Sequence, residues 1–135
     1  MRFGELDAAR IGHGFIMNYY NNNIVRYDNR KLGMVLDGDA GLAGFELMTS
    51  NLGRSEIFGG RVYYRPLNDM DNLLLKGFAV GSTYMTDVDP DQDALTSDGV
   101  SIFGLDAELP IIDIPVLRTI LYTDFAKISG HGSGT

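Results

Sequence analysis

The run IFGGRVYYRPL, residues 57–67, sets Phe58, Val62 and Tyr64 on one side of an extended chain and Arg61, Tyr63 and Arg65 on the other. Successive side chains of a strand point to opposite faces, so this spacing specifies a two-sided strand. The same alternation returns along the chain. Leu32, Met34 and Leu36 share a face in residues 31–37. Ala43, Phe45 and Leu47 oppose Glu46 in residues 42–50, and Phe103, Leu105, Ala107 and Leu109 oppose Asp106 and Glu108 in residues 100–109. No stretch keeps helical spacing over three turns, and no repeat of about 20 to 50 residues marks a solenoid.

Turn residues separate these runs. GDAG at 38–41, NLGRS at 51–55 and NDMDN at 68–72 have the Asp, Asn and Gly chemistry of tight reversals. Further strands are expected at 2–8, 11–20, 73–86 and 116–128, with polar connections at 21–30 and 87–99. PIIDIP, 110–115, carries two prolines and reads as a connection, because proline cannot donate to a ladder. Arg118 and Asp124 share a parity with Ile120 and Ile128, which leaves the faces of the last run undefined. The 17 glycines and 7 tyrosines favour turns and strands over helices. The expected fold is all-β: one domain over residues 1–135, an antiparallel up-and-down meander of about eight strands.

Composition removes several classes. The chain carries 11 Lys+Arg against 18 Asp+Glu, a net charge of −7, so it lacks the basic face that nucleic acid requires. With no Cys there are no disulfides and no thiolate metal ligands. No apolar run of about 18 residues forms a membrane helix. MRFGELDAAR is not a signal peptide, and both ends read as cut, so a piece of a longer protein is expected.

Strand length and charge placement then separate a membrane barrel from a soluble sandwich. Residues 57–67, 73–86 and 116–128 reach the length of about 9 to 11 that a membrane-crossing strand needs. Charges occur in mid-strand at Glu46, Arg61, Arg65, Lys76, Asp106, Glu108, Arg118 and Asp124. A watery lumen tolerates such a face and a packed apolar interior does not. The connections also fall into two alternating sets: 21–30, 51–55 and 87–99 average longer than 38–41, 68–72 and 110–115, and tyrosines gather near strand ends.

The stretches IGHGFIMNYYNN, RKLGMVLDG, IFGGRVYYRPL and ILYTDFAKISGHGSG resemble those of bacterial outer-membrane β-barrels of the uncharacterised, porin-like kind. The resemblance covers most of the chain as a style of sequence. It implies outer-membrane placement, contact with membrane lipid and a barrel larger than this segment, and it implies no catalytic residue. The terminal strand ending in an aromatic residue, usual in that class, is missing here.

Other constellations reduce to simpler readings. Asp87, Asp89, Asp91, Asp93 and Asp98 follow calcium-loop spacing from position one. Gln92 stands where that loop needs Gly, and strands flank the stretch, so we read a solvated loop with these five acids as calcium candidates. His13 and His131 each sit in GHG, too few ligands for zinc. Ser129 and Ser133 near His131 form no nucleophile elbow, and GGR at 59–61 is no phosphate loop. Arg61 and Arg65 flank Tyr63 as a basic ladder, which pairing with Glu46 on the next strand would neutralise.

The expectation is thus a partial or small transmembrane β-barrel of the bacterial outer membrane that passes small solutes. Glu46, Arg61, Arg65, Asp106 and Glu108 would line its lumen. It would be no enzyme, need no cofactor and bind no nucleic acid. The alternative is a soluble all-β module that binds a ligand or partner.

Overall fold

The computed structural model describes residues 1–22, 31–53, 56–88 and 99–129. Among these residues, nine strands and one helical turn follow in order: β1 (Arg2–Gly4), β2 (Ala9–Ile11), β3 (Met17–Tyr20), β4 (Gly33–Asp39), β5 (Ala43–Thr49), β6 (Ile57–Tyr64), α1 (Leu73–Lys76), β7 (Ala79–Asp87), β8 (Val100–Ile114) and β9 (Leu117–Ser129). Seven strands make one antiparallel sheet, ordered β1-β4-β5-β6-β7-β8-β9. β2 and β3 form a separate antiparallel hairpin. The sheet is open, with β1 and β9 as its edges.

Register shows what the alternation builds. One row across the sheet reads Asp37, Glu46, Arg61, Thr83, Gly104 and Ala126. The neighbouring row, on the opposite face, reads Gly38, Phe45, Val62, Ser82, Leu105 and Phe125. The β2–β3 hairpin lies on the first face. Leu6, Ala9, Ile11 and Met17 pack there against Val35, Met48 and Met85 to make the buried core. The second face has no cover among the described residues: Val62 is 60% exposed and Leu105 50%, whereas Arg61 on the covered face is 5% exposed.

The crossing from β1 to the hairpin is tied down by one side chain. Buried Asn22 accepts the Leu6 amide at 2.9 Å and donates to the Lys31 and Ser50 carbonyls at 3.1 Å each. These groups would otherwise lie buried and unpaired where the chain leaves the sheet.

Several boundaries differ from the sequence expectation. Residues 11–20 are no single strand, because a turn closes at Gly12 and Gly14, where φ is 55° and 84° and the Gly14 amide bonds the Ile11 carbonyl at 3.0 Å. Residues 2–8 give only β1. The 73–86 strand begins at Ala79, since Asn72 caps a helical turn by accepting from the Leu74 and Leu75 amides at 3.0 and 3.3 Å. Residues 110–114 belong to β8 instead of a connection, and the chain reverses at Pro115 and Val116. Pro110 lies beyond the last β7 partner, where a bulge shifts the register. The connections at 21–32, 50–56 and 88–99 still average longer than those at 40–42, 65–78 and 115–116, although 65–78 outruns 50–56. β4 and β5 have 7 residues each and β6 has 8; β7, β8 and β9 have 9, 15 and 13.

Candidate functional site

The covered face concentrates the charged side chains. Arg61, at the middle of β6, stands directly between Glu46 on β5 and Thr83 on β7. Asp106 on β8 is opposite Gly81, two residues further along β7. The guanidinium reaches it because Gly81 has no side chain: a Cβ there would fall 2.5 Å from an Asp106 oxygen and 2.8 Å from Arg61 Nε. Arg61 Nε donates to Asp106 Oδ2 at 3.0 Å, Nη2 donates to Oδ1, and Nη1 donates to Glu46 Oε1 at 3.3 Å. One buried cation therefore joins two carboxylates across three strands, with hydrogen bonds that such burial requires.

The hairpin turn closes over this cluster. The Gly12 amide donates to Glu46 Oε2 at 2.6 Å. Its Cα rides against Arg61, where a Cβ would sit 2.9 Å from Arg61 Cδ, and its φ of 55° is one that glycine adopts without strain. Next to it the His13 ring stacks on Tyr122 of β9 at 4.7 Å and 9°. His13 Nε2 lies 3.1 Å from Glu108 Oε2 and 4.0 Å from Asp106 Oδ1. That nitrogen is buried and makes no aligned hydrogen bond, so it approaches Glu108 without bonding it.

Arg65 forms a second, more open pair. It holds Asp39 through two hydrogen bonds of 2.9 and 3.0 Å and the Gly41 carbonyl at 2.8 Å. The Asp39 carboxylate raises the Arg65 pKa above its ordinary value. The Tyr63 ring makes a cation–π contact with both guanidinia, at 4.9 Å from Arg61 and 4.8 Å from Arg65.

Of the five lumen candidates, Glu46, Arg61 and Asp106 meet in one network. Glu108 joins it through His13, and Arg65 stands apart with Asp39. Of the calcium candidates, Asp87 ends β7, paired in register with Ile57 and Val100. Asp89, Asp91, Asp93 and Asp98 lie outside the described residues, as do His131 and Ser133. Among the described residues no group of three or more His, Cys, Asp or Glu is placed to hold a metal. No helix among them is long and apolar enough to cross a membrane. Sequence reasoning missed Gly12, Tyr122 and Asn22; only the GHG spelling of residues 12–14 signalled a special turn. Comparison with family models, curated proteins and solved structures gave no match to this chain.

Proposed function

We propose that this sheet is a sector of the wall of a bacterial outer-membrane β-barrel, porin-like, with a charged lumen that passes small solutes. The observation that carries the reading is the sidedness of the sheet. A soluble one-sided sheet buries its apolar face and wets its charged one. Here Phe45, Leu47, Phe58, Val62, Phe103, Leu105 and Phe125 are exposed together, while Arg61 and Asp106 are buried on the other side. An apolar outside and a polar inside is the pattern of a strand wall in lipid. In this reading the open face meets hydrocarbon, and the hairpin narrows the aqueous side.

A soluble binding module whose apolar face is covered by a partner is the second reading. It is favoured by the 7-residue lengths of β4 and β5, short of the roughly 9 to 11 a crossing strand needs. The chain has no Trp, so single tryptophans report cleanly. Phe103→Trp, on the open face, should be quenched by brominated lipid and shielded from iodide. Tyr63→Trp, on the covered face, should show the reverse. If brominated lipid quenches neither, and the protein purifies without detergent, the wall reading fails and the soluble module stands.

A further inference from the structure

Beside the hairpin, on the same covered face, a groove of about 460 Å³ opens between β1, the β2–β3 hairpin, β4 and β5. Arg2, Arg10, Asn18, Tyr19, Asp37 and Glu46 line it. Unpaired charges also occur elsewhere among the described residues, at Lys76, Asp124 and Lys127, but in this groove cations and an anion share one space. Arg61, Arg65, Lys31 and His13 all have carboxylate partners. Arg2, Arg10 and Asp37 have no ion-pair partner among the described residues, although they share one groove. Asp37 also stands directly opposite Glu46 in the β4–β5 register, a like-charge arrangement that costs stability. Glu46 is satisfied by Arg61 and the Gly12 amide, so Asp37 alone carries the unmet negative charge.

The backbone of the rim is equally unusual. The two non-glycine residues with positive φ among those described, Ala8 at 53° and Tyr19 at 56°, both line this groove. Such a conformation is disfavoured for a residue with a side chain and persists where the surrounding structure demands it. Tyr19 is 77% exposed there.

We propose that this groove binds a small zwitterion of the α-amino-acid type. The two guanidinia are forks that match a carboxylate in two-point contact, and Asp37 offers the acceptor for an ammonium. A ligand carrying both groups meets both unmet charges at once, whereas a simple anion or cation meets one and faces repulsion from the other. The volume falls in the range of small-molecule sites, which run from about 300 to 1,000 Å³. As a statement of solute class it rests on the reading of the covered face as a lumen.

The test uses the full chain purified in detergent and saturation-transfer NMR with alanine, propionate, propylamine and glycerol. Alanine should give the strongest transfer, with propionate and propylamine weaker by at least threefold and glycerol absent. Arg10→Gln and Asp37→Asn, both exposed and outside the core, should each lower the alanine signal at least threefold. Equal signals from alanine and propionate, or no change in both variants, overturn the proposal. Binding in micelles requires no pore. Alanine bound by the micellar protein but not passed by vesicles containing it would leave this site standing and remove the pore. Alanine passed equally by the parent and both variants, without binding, would do the opposite.

Discussion

Arg61 faces two carboxylates across a gap that Gly81 leaves open. Removing the cation leaves Asp106, 6% exposed, without its two guanidinium hydrogen bonds and takes one from Glu46. Arg61→Leu should therefore cost about 3 to 5 kcal/mol in urea unfolding, because it strands buried charge. Arg61→Leu combined with Asp106→Leu should recover much of that loss, since the uncompensated carboxylate goes too. A double variant no better than the single one would show that the pair is not the unit. The charges of this cluster were legible in the sequence, because period-two spacing assigns Glu46, Arg61 and Asp106 to one face. What spacing does not give is the diagonal reach of Arg61 past Thr83 to Asp106. That depends on the absence of a side chain at Gly81, two residues away in register. Gly12 and Tyr122 were illegible for a related reason: they meet the cluster from segments distant in sequence.

The β2–β3 hairpin is the element that turns a charged sheet face into an enclosed site. Its hold is mainly apolar, through Leu6, Ala9, Ile11 and Met17, and Tyr20 packs at its edge. Burial pushes the Tyr20 phenol above its ordinary pKa, against the hydrogen bond with Ser50 that lowers it. The sign follows. The folded protein holds the phenol proton more tightly than the unfolded chain, so this stabilisation is present below a pH of about 10 and is lost as pH rises through the folded value. Tyr20→Phe has no proton to lose, and its alkaline transition, followed by near-ultraviolet circular dichroism, should move to higher pH. An unchanged transition would mean that the hairpin does not govern it. The hairpin itself was hidden in the sequence. IGHGFIMNYY is apolar enough to read as one strand, and only the left-handed backbone at Gly12 and Gly14 breaks it. The helical turn at Leu73–Lys76 was hidden likewise, because four residues cannot show a period. In β9 the faces were ambiguous from parity alone. Pairing with β8 resolves them: Asp124 faces Asp106 on the covered side, and Phe125 faces Leu105 on the open one.

At the scale of the whole molecule, the two faces make opposite demands on solvent. Val62 sits mid-row on the open face between Phe45 and Ser82. If that face meets hydrocarbon, Val62→Arg should cost about 2 to 4 kcal/mol in a bilayer. In a soluble module the same change at a 60% exposed position should cost within about 0.5 kcal/mol. Unfolding measured in lipid vesicles separates the two, and a cost below 0.5 kcal/mol there would remove lipid from that face. The overall antiparallel, all-β plan was readable from alternation, since each row crosses the sheet in step with the pattern. Openness was not, because edges are set by which strands find partners and not by the spacing within any one of them. The hairpin, held against one face by Ile11 and Met17, is also an excursion between two strands that pair with each other, β1 and β4. Its entry and its exit are therefore fastened to the same edge of the sheet, and loosening β1 would free the hairpin at one end only.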